Sequence, residues 1–490
     1  MPLNLIIPMA GKGERFKKAG YLDHKPFIKI NEKFMYEYVT KNFPDYVSVW
    51  IITCEKYLNE SQLNYLKKNK INILFIPPHK LGPAYSILKC KDRLPLNESF
   101  FISYCDIDWK WNYSLVKNEL NRDGIVFTHN KFHPHKLANN YAAFCKAKDN
   151  QLLEIREKES FTKEWMNEDL SVGIFYIKSG IKMIESIESL VKNKITVSRE
   201  YFPSLIFNDL IKKKNLIMTY NLNYFIHWGI PENLEDYLNW YEKINKIKNF
   251  TYKKKNNEII ICMGGKGERL KKINYNYKAF IKIFSSPMFK FICNFFPHEK
   301  KTIISNKKIF KEGKEFFQGF NEIEIQKQTH SQLETLKLAI NDIRKKEKFF
   351  LISCDAFGFF DFKKFDEILK KDKPEVVIFG FKPNIVQALE KKSHTYISSE
   401  NNIIKSINIK QRKNKDELGM AGFFWFSDGI IFNDLEKVPT DSKNEMVLDH
   451  FIKYLLREKK RISVINLEQY IHFGTINELQ EFMFWKENFD

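Results

Sequence analysis

The sequence lacks any apolar run approaching the roughly 18 residues a membrane-crossing helix requires, so no membrane span is expected. No basic segment precedes the short apolar run of the opening MPLNLIIPMAGKGER, so no secretory leader is expected. There are 7 cysteines, an odd count without a CxxC pair, and several fall inside apolar runs. That speaks against a disulfide framework or a cysteine zinc site and suits buried thiols in a reducing compartment. A GK[ST] phosphate loop, a GxGxxG dinucleotide fingerprint and the signatures of nucleic-acid-binding modules are all missing. The expectation is a cytoplasmic protein with no nucleic-acid partner.

What is present is an ordinary globular composition, 43% hydrophobic and 29% charged. With 490 residues the chain is too long for one core. The net charge of +20 comes from scattered lysines, which suit solvated surface and a field favourable to an anionic small molecule. Clusters such as Lys253-Lys254-Lys255 read as linker or helix surface.

The chain repeats itself. LIIPMAGKGERFKKAGY at the start returns as IIICMGGKGERLKKINY from Ile259. KPFIKI at Lys25 returns as KAFIKI at Lys278, and FFISYCDID as FFLISCDAF, pairing Asp106 with Asp355. LSVGIFYIKSG pairs with GMAGFFWFSDG, and FIHWGIPENLEDY with YIHFGTINELQEF. Six landmark residues (Gly11, Arg15, Lys25, Asp106, Gly173 and Gly229) recur in one order, which means a duplicated domain rather than a short-period solenoid. The expected domains are 1–245 and 257–490, with a polar, basic linker from Ile244 to Asn257.

In the first copy, strands are expected at Leu3 to Met9, Ser48 to Thr53, Ile71 to Ile76 and Ser99 to Tyr104. Helices are expected between them, over Tyr36 to Phe43, Ser61 to Asn69 and Pro83 to Lys91. Strands apolar along their whole length imply a mostly parallel sheet covered on both faces, with ligands at the strands' carboxyl ends. The expected fold is α/β, two tandem Rossmann-like three-layer domains.

Two motifs fall at such strand ends. In Ala10-Gly11-Lys12-Gly13-Glu14-Arg15, the glycines allow backbone to approach a phosphate and Arg15 offers a fork for its oxygens. Lys25 adds a point charge. In the second copy the set is Gly265, Gly267, Arg269 and Lys278. The other motif, Cys105-Asp106-Ile107-Asp108, offers carboxylates to a hard cation such as Mg²⁺, Asp106 being the one repeated as Asp355. By spacing alone, Arg156-Glu157-Lys158 is an exposed charge group. A lone His227 is ordinarily structural, but His472 recurs before Gly474, which opens a metal or phosphate role. His129, His133 and His135 read as surface-loop residues, with substrate contact the other reading.

As an ordered set these residues resemble the nucleotidyltransferase superfamily with the GT-A-like fold, of the nucleotide-sugar pyrophosphorylase type. The family opening matches LIIPMAGKGERF and HKPFIKI, and its base-side segment matches Leu81-Gly82-Pro83-Ala84. The resemblance implies a metal on Asp106, with His227 where a second ligand is usual. It implies an acceptor site at Glu157, Lys158 and Gly173, to which Asp108 is added. It also implies catalytic roles for Arg15, Lys25, Asp106 and Lys158. Transfer would run from a nucleoside triphosphate, CTP ahead of UTP and GTP, to a phosphorylated sugar, polyol or small metabolite. The PMAGxGxRF opening with AGY is similar to a capsule and surface-polysaccharide subgroup. The second copy departs from the pattern: HSQLETL stands where Gly82-Pro83 would, and Gln411 and Arg412 where Glu157 and Lys158 would. A metal-dependent glycosyltransferase and a non-catalytic nucleotide-binding scaffold are the alternatives.

Overall fold

The computed structural model describes residues 2–138, 142–253, 257–265, 267–270, 277–390, 392–400, 402–438 and 446–489. Lys254 and Lys255 of the basic cluster, and 271–276 of the second opening motif, lie outside them. The chain divides into two compact units, Met1–Trp240 and Tyr241–Asp490.

Eleven strands matter in the first unit: β1 (Leu3–Pro8), β2 (Ser48–Thr53), β3 (Asn72–Phe75), β4 (Ser99–Ser103), β5 (Ile107–Lys110), β6 (Gly124–His129), β7 (Ala143–Lys148), β8 (Gln151–Glu157), β9 (Asp169–Ile177), β10 (Ile217–Asn221) and β11 (Tyr224–His227). Nine form one sheet in the order β3-β2-β1-β4-β9-β6-β10-β8-β7. The expected parallel pairing holds from β3 through β4. Beyond it β9 runs antiparallel to both neighbours, β10 is parallel to β6, and β8 and β7 form an antiparallel hairpin. The remaining two strands, β5 and β11, make a separate antiparallel ribbon.

Alternate residues of each central strand face opposite cores, as the two-residue period of a strand requires. Ile6, Phe100 and Ile102 join one core with Ala84 and Ile87 of α1 (Pro83–Leu88), Met183 and Ile187 of α2 (Gly180–Lys192), and Phe207 and Leu210 of α3 (Ile206–Lys212). Leu5, Ile7 and Phe101 join the other with Phe27, Tyr36, Val39 and Phe43. Burying both faces explains why these strands are apolar throughout.

The second unit has a nine-stranded sheet of the same order among its described residues. Its strands in that order are Asn321–Ile325, Lys300–Asn306, Glu258–Cys262, Glu347–Ser353, Leu418–Asp428, Val376–Phe381, Ile462–Asn466, Ile403–Asn408 and Thr395–Glu400. Two sheets of one topology fit the duplication seen in the sequence.

The expected linker begins too early. One helix, α4, runs Pro231–Asn249 through its first six residues. Tyr237, Trp240, Ile244 and Ile247 are buried along it, at alternating spacings of three and four that align one helical face. All seven cysteines are free thiols. No described helix is long and apolar enough to cross a membrane.

Candidate active site

The glycine loop leaves the end of β1, and Cys105-Asp106 leaves the end of the neighbouring β4. Parallel pairing of β1 with β4 therefore sets both motifs side by side. Ala10, Gly11, Gly13, Arg15, Lys25, Gly82 and Asp106 line one cleft of about 430 Å³. His79, Lys80, Ser86, Tyr104, Glu200 and Gly229 line it as well.

The loop shape has local causes. Gly13 adopts φ +64, the left-handed region, and a Cβ there would lie 3.3 Å from the Lys25 Cβ. His24 Nε2 donates to the Gly11 carbonyl at 2.8 Å, tying the loop to the segment that carries Lys25. The Lys25 ammonium pairs with Asp106 Oδ2 and donates to the Gly229 carbonyl at 3.3 Å. Gly229 is brought there by the β5–β11 ribbon, whose end is closed by the Trp228 N–H donating to the Asp106 carbonyl at 2.7 Å. Burial pushes the Asp106 carboxyl upward, but Lys25, with a smaller contribution from His227, carries it below the ordinary carboxylate value. It is ionised across the neutral range.

Gly82 adopts φ +88, and a Cβ there would meet the Tyr201 carbonyl at 2.7 Å. Tyr201 donates to the Leu81 carbonyl at 2.9 Å and accepts from Ala84 at 3.0 Å. This close approach seats Glu200 in the cleft. The His79 ring takes the Leu81 N–H at 3.1 Å and meets Ser86 Oγ at 3.0 Å, fixing the wall around Gly82.

Other expected residues lie elsewhere. Lys12 points outward, 3.9 Å from Glu14, and does not line the cleft. Asp108 is turned to Lys41 Nζ at 3.0 Å and Asn42 Nδ2 at 3.1 Å, so its expected place at the acceptor is not where the fold puts it. The ribbon that aims Asp106 into the cleft seats Asp108 against Lys41 and Asn42, in the turn after the short helix Glu37–Thr40. Gly173, at φ +85 in a bulge of β9, lies where a Cβ would strike the Tyr104 ring at 2.4 Å. It lets Tyr104 line the cleft rather than lining it itself. Glu157 accepts from Ser204 Oγ at 2.6 Å, and burial pushes its carboxyl up to about 7. The Lys158 ammonium sits over the Phe202 ring, 4.7 Å from its centre.

The histidines are a clear correction. His129, His133 and His135 are buried, not surface-loop residues, because β11 and α4 pack against them. His227 does not line the cleft. Its ring stacks on His133 and stands edge-on to His135, and burial holds it at about 3, hence neutral.

In the second unit Gly265, Gly267, Arg269, Lys278 and Asp355 also line one cleft, of about 450 Å³. Lys278 pairs with Asp355 as Lys25 does with Asp106, and Asp355 is likewise held below its ordinary value. Thr329, Ser331, Gln332 and His472 are among the other residues that line it.

Residues 5–163 match the family of MobA-like NTP transferase domains. No curated protein matches the chain. Among solved structures it is similar to a nucleoside-diphosphate-sugar pyrophosphorylase from Vibrio cholerae, at 17% identity over 48% of this chain and 99% of that one, with a TM-score of 0.40. It is also similar to an inositol-1-phosphate CTP transferase from T. maritima, at 14% identity over 48% and 97%, with a TM-score of 0.38. The match lies within the first unit and supports a nucleotidyltransferase.

Proposed function

We propose that the first unit joins a nucleoside triphosphate, CTP ahead of UTP and GTP, to a phosphorylated sugar, polyol or small metabolite. Pyrophosphate is released, and the product serves as a precursor of capsule or surface polysaccharide. The observation that carries this reading is the convergence of Gly11, Gly13, Arg15, Lys25 and Asp106 on one cleft.

An oxygen of the acceptor phosphate attacks the α-phosphorus, a new P–O bond forms, and the α–β bridging bond breaks with its electron pair leaving on pyrophosphate. The acceptor oxygen is already anionic, so positioning and charge neutralisation do the work. Arg15 and Lys25 hold the β and γ phosphates. Lys25 exchanges its Asp106 partner for phosphate oxygen as substrate enters. Lys158 and Glu157 steer the acceptor from the end of β8.

The residues fit a magnesium ion. Asp106 is an ionised hard-oxygen donor at the cleft, and magnesium needs only one or two carboxylates besides phosphate oxygens and water. When bound, the ion would neutralise charge on the α-phosphate. Asp106 would hold it. His227 is set aside as its second ligand, since imidazole suits softer cations.

The second unit keeps a phosphate cradle but has lost the glycine wall. We read it as a diverged nucleotidyltransferase-like domain that binds without matching the first unit's turnover. The test is a pyrophosphate-release screen of the full chain with four triphosphates against phosphorylated acceptors. Release of nucleoside diphosphate instead would mean a glycosyltransferase. Binding without turnover would leave a scaffold.

A further inference from the structure

One buried histidine cluster stands apart from the transfer reaction. In the first unit, His133, His135 and His227 each offer a ring nitrogen within 4.8 Å of the others. Their rings form a closed triangle with centres 5.3, 5.4 and 5.5 Å apart. They come from separate places: His133 and His135 from the loop and helix after β6, His227 from the end of β11.

An outer partner orients one of the rings, and a second lies against another. Asp236 of α4 lies 3.0 Å from His135 Nε2, which turns Nδ1 toward the cluster. A carboxylate behind a histidine is the usual support of a metal-bound imidazole. The Asn233 side-chain amide lies beside the His227 ring, 3.1 Å from Nδ1 and 3.4 Å from Nε2, and does not by itself choose which nitrogen faces the cluster. His133 is the least firmly prepared, because its Nδ1 takes the His135 backbone N–H at 3.2 Å.

We propose that His133, His135 and His227 form a binding site for one divalent transition-metal ion of the zinc or cobalt kind, separate from the magnesium position at Asp106. Three imidazoles prefer such cations to magnesium. Bonds of about 2.1 Å set ligand nitrogens roughly 3.4 Å apart, so nitrogens that now lie within 4.8 Å need to close by up to about 1.4 Å. The ion would brace β11, α4 and the segment after β6 behind the cleft.

The second unit supplies a contrast. Its cluster of His394, His472 and Glu478 closes on itself, since Glu478 accepts from His394 Nε2 at 3.0 Å and from His472 Nδ1 at 2.8 Å. The site is therefore assigned to the first unit alone.

The test uses the full chain, stripped of metal with a chelator and titrated with Co²⁺. The expected result is the intense visible absorption of low-coordinate, nitrogen-bound cobalt, saturating at one ion and undisturbed by excess Mg²⁺. His135→Gln should remove it, and Asp236→Asn, which keeps every imidazole, should weaken binding about 10–100-fold. Zn²⁺ should raise the thermal midpoint of the wild type but not of His135→Gln. Taking the difference between wild type and variant cancels ions held elsewhere. A wild-type spectrum identical to aqueous Co²⁺ would overturn the proposal. So would unchanged binding in Asp236→Asn, a result that stands even where His135→Gln fails to fold.

Discussion

In the first unit the lysine–aspartate pair sits opposite Gly82, Pro83 and Glu200; in the second the same pair sits opposite Thr329, Ser331 and Gln332. The histidine that follows also faces differently. His472 lines its cleft, with Nε2 3.6 Å from Asp355, whereas His227 turns into the histidine cluster. The residue six positions on differs too. Glu478 is a carboxylate that draws an N–H from His472 Nδ1, while Asn233 offers an amide to His227. Two sheets of one topology thus hold the same arginine and lysine–aspartate pair in differently walled clefts. The conserved part of the cradle is set by the strand ends, and the variable part by the segments that close over them.

The largest expected effect separates the two lysines. Lys25→Ala should lower pyrophosphate release by about 10²–10³-fold, the usual scale for losing a charge that stabilises the transition state. Lys278→Ala should leave it within about twofold. Equal losses from steady-state rates would mean that both units turn over.

The wall comes next. Gly82→Ala places a Cβ 2.7 Å from a backbone oxygen at a left-handed φ, at a cost of about 1–3 kcal/mol. Its counterpart is the Ser331 cap, whose side chain accepts from the Glu334 N–H at 3.1 Å. Ser331→Ala should cost about 1 kcal/mol. Urea titration of both variants checks the order, and pyrophosphate release should fall only for Gly82→Ala.

A smaller effect belongs to Glu157, which has no carboxylate counterpart at Gln411. Its folded carboxyl stands near 7 against an ordinary 4.5, so the native chain keeps a proton that the unfolded chain has lost between those values. Stability therefore falls as pH rises through that window. Glu157→Gln should raise the thermal midpoint by about 2–4 °C at pH 8 and leave it unchanged at pH 4. An equal shift at both pH values would contradict the buried-carboxyl account.

Much of the first sheet was legible because its strands are buried on both faces. Ser48–Thr53 falls where its unbroken apolar run puts it. Of the hairpin of Ala143–Lys148 and Gln151–Glu157, only a strand-like stretch before Arg156 was legible, because exposed positions interrupt the apolar signal. Asp149 and Asn150, both left-handed at φ 50 and 61, were the available clue, since two such residues make a tight hairpin turn. In the site, Gly229 was visible as a repeated landmark but had no assigned role until the ribbon brought its carbonyl to Lys25. Glu200, His79 and Ser86 carry no spacing signal, because only the close approach at Gly82 gathers them. Asp108 and His133 misled for a related reason. Asp106 and His135, each two residues away, suggested a ligand pair or a polar loop, while partners distant in sequence (Lys41 for the one, β11 for the other) bury them.

The most direct measurement is pyrophosphate release by the full chain with one carboxylate neutralised at a time. Asp106→Asn should abolish release while Asp355→Asn retains at least about half of it, with the fold of each verified by its thermal transition. Wild-type turnover in Asp106→Asn would contradict the claim that the first cleft grips the triphosphate beside that carboxylate.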